Sequence, residues 1–253
     1  MYVARQRKEK QKPNTEEEIM KLTTNVFGTL LAVISLALLG AENLGMAAGR
    51  NPNPGIVKSP SSGYRGSSYG ERAAQWWQTM YTMPVTNGEH PLLTGGAVMG
   101  EDNILFLAAA PGTATINVTI PKGTAIFVPV INAECSTVEP DPFHGDTEPE
   151  LRACANGHID NTSGLTATVD GAPVVDLASY REESPFFEFT LPENNVLQFL
   201  GQDVPAGTTA QAVDAGVYLL LNPLKEGGHT IHVSGTFDEL GATIDTTFLI
   251  TVE

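Results

Sequence analysis

The chain has 253 residues, 42% of them hydrophobic and 7% aromatic, with a formal net charge of −15, a composition ordinary for a folded globular protein. The charge is uneven: residues 1–47 carry six Lys/Arg and five Asp/Glu, whereas the remainder carries eight bases against 24 acids. So acidic a surface repels phosphate backbones and excludes nucleic acid as a partner, while suiting solubility outside the cell, cation binding or basic partners.

Lys21 precedes an apolar run, VFGTLLAVISLALLG (26–40), and Gly45 and Ala47 then occupy −3 and −1 of a cleavage site after Ala47. Its 15 residues fall short of the roughly 20 that a membrane span needs. Residues 1–47 therefore read as an export signal with a polar N-terminal extension, and the protein as secreted, periplasmic or at the cell surface. An uncleaved anchor is the alternative, and the chain's one route to a membrane. Met20 opens a more typical signal, MKLTTNVFGTLL, than the charged residues 1–19 do.

Residues 48–67, rich in Gly, Pro, Ser and Asn, read as a flexible linker with no periodic apolar pattern. Gly66-Ser-Ser-Tyr-Gly70 fits G-x-S-x-G, but a nucleophile elbow needs a buried strand before the serine, and a linker stands there instead. Ser68 with Glu71 is a capping box, S-x-x-E, which predicts a helix over 69–82. Ala73, Trp76, Trp77, Met80 and Tyr81 recur at helical spacing as one apolar stripe, with Trp76 or Trp77 expected as a core anchor.

From there the period becomes two. ATINVTI (114–120) alternates, TAIFVPVIN (124–132) reads as a buried strand, and LTATVDGAPVVDL (165–177) is a hairpin around Asp170-Gly171. ILFLAA (104–109), FFEFTL (186–191), VYLLL (217–221), HTIHVSG (229–235) and ATIDTTFLITV (242–252) complete about nine strands. The expected fold is mainly β: a single antiparallel β-sandwich domain over 68–253, immunoglobulin-like or jelly-roll-like, with one N-terminal amphipathic helix.

Cys135 and Cys154, the only cysteines, read as one disulfide in an oxidising compartment. The segment between them is dense in acids. Asp141, Asp146, Glu148 and Glu150 are candidate ligands for calcium or a similar divalent cation, which takes six to eight oxygens; a solvated acidic loop over 134–154 is the alternative. His229 and His232 lie three apart on one strand and point to opposite faces, so they do not share a metal, and His229 is expected in a hydrogen-bonded structural role.

YGERAAQWWQ (69–78), PKGTAIFVPVIN (121–132), YREESPFF (180–187) and NPLKEGGHTIHVSG (222–235) resemble a group of secreted bacterial proteins that share a Tyr-Gly-Glu…Trp-Trp-Gln helix and a β-rich body. The resemblance implies export and transfers no activity. Residues 223–252 are similar to the last two strands of immunoglobulin-like bacterial surface domains, which implies a sandwich and is compatible with adhesion or binding.

With no catalytic signature in the chain, the expected function is binding of a ligand or partner at the cell surface or in the periplasm. A carbohydrate-active hydrolase with paired carboxylates about 5–10 Å apart in an aromatic cleft is the second expectation. Self-assembly through edge strands is the third.

Overall fold

The computed structural model describes residues 51–253 apart from 54 and 56; residues 1–47, expected as an export signal, lie outside the described residues. Ser68 opens helix α1 (Tyr69–Tyr81) with both halves of the capping box. The Glu71 N–H donates to Ser68 Oγ at 3.2 Å, and the Ser68 N–H donates to Glu71 Oε2 at 2.7 Å, so two backbone donors at the helix entry are satisfied reciprocally. Ala73, Trp76, Trp77, Met80 and Tyr81 are all buried, which is the stripe that the spacing predicts.

The stretch ahead of the helix packs rather than hanging free. The Val175 N–H donates to Asn53 Oδ1 at 2.8 Å, Asn53 Nδ2 donates to the Val175 carbonyl at 2.9 Å, and Val57 is buried beside Leu221. Asparagine side chains here satisfy backbone groups in place of a regular element, which a Gly/Pro/Ser/Asn composition does not disclose.

The short helix α2 (Pro91–Thr94) leads into strands β1 (Gly96–Met99), β2 (Ile104–Ala108), β3 (Gly112–Ile120) and β4 (Ala125–Ser136). Helix α3 (Glu148–Asp160) precedes β5 (Thr162–Val169), β6 (Ala172–Pro173), β7 (Arg181–Glu183) and β8 (Phe187–Thr190). A single-turn helix, α4 (Val196–Phe199), then leads to β9 (Thr209–Leu221), β10 (Gly227–Phe237) and β11 (Ala242–Val252). One sheet runs β1-β2-β4-β9-β7, with β8 also paired to β9; the second runs β11-β10-β5-β6.

The fold is mainly β, as expected, but the all-antiparallel arrangement is not what forms: two mixed sheets pack against each other. β2 and β4 are parallel, from Ile104 opposite Ala125 to Phe106 opposite Phe127. Both are buried on their two faces, as parallel strands require. Between them the chain crosses to the other sheet, where β3 lies along β11. There the Glu253 N–H donates to the Ile120 carbonyl and the Lys122 N–H to the Glu253 carbonyl, the bracketing of one residue by two that marks a parallel pair.

A second long helix also departs from expectation. Residues 148–154, read from the sequence as acidic loop, are the first half of α3. Pro149 occupies the first turn, where a missing N–H costs nothing, and Glu148 and Glu150 face the positive end of the helix dipole. Leu151, Ala155, His158 and Ile159 are its buried residues, a helical spacing made faint by a small residue and a histidine. The Cys135–Cys154 disulfide, with Cα atoms 6.1 Å apart, fastens α3 to the end of β4.

β4 and β9 form the centre of the core, and strand alternation divides their side chains between two covers. Cys135 faces α3, whereas its neighbour Glu134 faces α1, where Tyr81 meets it.

Candidate functional site

Glu134 on β4 lies directly opposite Asp214 on β9, so two acids enter the same protein interior beneath α1. Trp77 Nε1 donates to Asp214 Oδ1 at 2.7 Å, and the Tyr218 hydroxyl donates to Oδ2. Burial pushes this carboxyl up to about 7 against the pull of those two donors.

Glu139, from the segment after β4, joins them. The Tyr81 hydroxyl donates to Glu134 Oε2 at 2.8 Å and lies 3.2 Å from Glu139 Oε1; Ser136 Oγ donates to Glu139 Oε2 at 2.9 Å. Burial raises Glu134 well above the ordinary carboxylate range and the Glu139 charge adds to it; burial likewise raises Glu139. None of the three acids belongs to an ion pair among the described residues. Glu134 Oε1 is buried with no hydrogen-bond partner, and the Tyr81 hydroxyl stands between the two glutamates. Two buried carboxyls so close together resist ionising at once, so the pair holds on to a proton more readily than two free acids would.

A cleft opens beside the pair. One lobe of about 270 Å³ is lined by Trp77, Tyr81, Glu134, Glu139, Phe143 and Leu240, among others. A second lobe of about 200 Å³ includes Trp76, Pro111, Ile131 and Ile244. The lobes share Trp77, Leu92, Asn132, Phe237 and Ala242, so they form one continuous, mostly apolar surface. Asn132 Nδ2 is buried there without a partner. The residue across from Asn132 on β9 is Gly216, where an added Cβ would come within 2.7 Å of Asn132 Cβ and of the Tyr218 ring. Glycine at that position is what lets Asn132 and Tyr218 sit side by side.

The acids singled out by sequence lie elsewhere. Asp141, Asp146, Glu148 and Glu150 are all exposed. Glu148 pairs with Arg152 at 2.6 Å, Glu150 accepts the Asp146 N–H at 3.0 Å, and Asp146 lies 3.3 Å from His144 Nε2. No three of them converge. The one cluster with metal-ligand spacing among the described residues is Cys135, Cys154 and His158; its cysteines are joined in the disulfide and carry no thiolate. His229 is held between Asp170 at 2.7 Å and the Lys225 carbonyl at 2.8 Å.

Glu134 and Glu139 count in the sequence only as part of an acidic stretch, and Asp214 draws no notice at all. A usable signal exists: Glu134 continues the buried run AIFVPVINAECS and Asp214 interrupts AQAVDAGVYLLL, acids where the pattern demands apolar side chains. No protein-family model, curated protein or solved structure matches this chain.

Proposed function

We propose that this is an exported, non-enzymatic protein that binds a small organic ligand in the cleft beneath α1. One observation carries the reading: a continuous aromatic and aliphatic wall meets a few convergent polar groups, one of them, Asn132 Nδ2, without a partner. Ligand sites have that constitution. Export is supported by the apolar segment 26–40 with small residues before position 48, and by the Cys135–Cys154 disulfide. Recovery of the chain with Ala48 at its N-terminus, read by mass spectrometry, is the expected outcome of expression in a secreting host.

The binding test uses Nile red, an uncharged dye that brightens in apolar surroundings. Its emission rises with the parent protein, and Ala242→Trp, which fills the shared part of the cleft, abolishes the rise while the melting temperature stays within a few degrees. Equal brightening with the filled variant removes the cleft as the binding site.

A paired-carboxylate hydrolase is the second reading, favoured by the Glu134–Glu139 pair in an aromatic cleft. Glycosidase carboxyls stand about 5–5.5 Å apart in retaining enzymes and about 6.5–9.5 Å apart in inverting ones. Here the Tyr81 hydroxyl sits between the two groups, 2.8 Å from Glu134 Oε2 and 3.2 Å from Glu139 Oε1, and occupies the space that a scissile bond or an attacking water would need. The geometry therefore fits binding better than hydrolysis.

A further inference from the structure

We infer that the ligand of the cleft is an organic ammonium, an amine with an apolar or aromatic body, whose cationic head lies against the carboxyls of Glu134 and Glu139. The inference rests on the cleft being the binding site and adds the chemistry of its occupant.

Three independent features converge on it. Among the residues lining the two lobes there is no lysine, arginine or histidine, whereas two carboxyls line the lobe next to Tyr81. Glu134 is only 3% exposed, and its Oε1 finds no donor. The surrounding wall is aromatic, with Trp77, Tyr81, Phe143 and Phe237, and ring faces attract a cation by about 0.5–2 kcal/mol according to how far it is desolvated.

The groups facing the pair come from each neighbouring element. Tyr81 reaches it from α1 and Ser136 from β4, while Asp214 stands across on β9 with Tyr218 hydrogen-bonded to it. The His144 ring meets the Glu139 carbonyl at 2.8 Å rather than its carboxyl. Apart from the His144 imidazole, these groups can carry only negative charge next to the carboxyls. An ammonium N–H can donate to the carboxyl oxygens of the pair, and its charge offsets the second ionisation. Binding is then an exchange: the amine enters as its ammonium, the pair becomes two carboxylates, and one proton leaves to solvent.

The exchange sets the pH dependence. While the pair holds its proton and the amine is charged, affinity rises by up to about tenfold per pH unit, because one proton is released per ligand bound. An uncharged isostere shows no such rise, and an anionic one is repelled.

The test is calorimetric titration of the 253-residue chain with 2-phenylethylamine, 2-phenylethanol and 3-phenylpropanoate. Titrations at pH 6, 7 and 8 are run in two buffers of different ionisation heat, so that protons are counted. The expected result is that the amine binds about tenfold or more tightly than the alcohol at pH 7, releases close to one proton, and outcompetes the carboxylate. Glu139→Gln lowers amine affinity by about tenfold and leaves the alcohol unchanged; Glu134→Gln, isosteric with the protonated acid, does the same should Glu139→Gln melt early. Equal binding of amine and alcohol without proton release, both lost in Ala242→Trp, overturns the ammonium and leaves the cleft. Binding of none of the three probes overturns both.

Discussion

At the scale of single residues, the buried acids make a pH-dependent contribution whose sign follows from their surroundings. Glu134, Glu139 and Asp214 are all raised by burial, so the folded chain keeps protons that the unfolded chain has lost. Their stabilising effect is complete below the ordinary carboxylate range and declines as pH rises; for Asp214 the window runs from 3.8 to about 7. Each retained proton gives a slope of about 1.4 kcal/mol per pH unit. Glu134→Gln removes one such group without changing its shape. The variant is expected to melt with the parent near pH 5 and several degrees above it at pH 8, and parallel melting curves across that range would discard the raised carboxyl. Tyr81→Phe deletes the hydroxyl that donates to Glu134 and lies close to Glu139. A loss of about 1–3 kcal/mol is expected in urea unfolding at pH 5, since buried acceptors are left with fewer donors.

At the scale of elements, the two long helices are held by different means. α1 carries a wide aromatic stripe and a capping box, whereas α3 depends on a narrower stripe and a covalent tie to β4. Replacing both Cys135 and Cys154 with serine is expected to cost about 3 kcal/mol, the loop-closure value for a bridge of this span; an unchanged denaturation midpoint would mean that packing alone seats α3. The same contrast explains what could be read in the sequence. α1 is legible from residue identities, because Ser68, Glu71 and the run to Tyr81 each state the same local rule. α3 is not, because Pro149 and three acids near its start resemble a loop until Leu151, Ala155, His158 and Ile159 are seen to share a face. The alternation of β3 and the turn at Asp170-Gly171 are equally local, and both form as expected.

At the scale of the molecule, the sense of strand pairing and the convergence of the cleft are the properties that local patterns encode least. ILFLA and AIFVPV announce burial on two faces, but not that one runs parallel to the other with β3 sent to the opposite sheet in between. Glu134, Glu139 and Asp214 meet only because β4 pairs with β9 in one register. The whole-molecule charge carries a prediction of its own. With a net charge of −15, self-repulsion weakens the folded state, and raising salt from 0.01 M to 0.15 M shortens the screening length from about 30 Å to about 8 Å. The melting temperature at pH 8 is expected to rise by a few degrees over that interval and to change little near the isoelectric point of 4.6. Insensitivity to salt at pH 8 would show that the acids are spaced too widely to oppose folding.

The place of β11 has a consequence for how the chain is made. It pairs with β10 on one side, and β3 lies along the other, so the last strand of this sequence to leave the ribosome stands between two made before it. Until it emerges, β3 and β10 have no common partner and the second sheet remains open. The nascent chain therefore cannot close its second sheet until residue 252 is free of the ribosome.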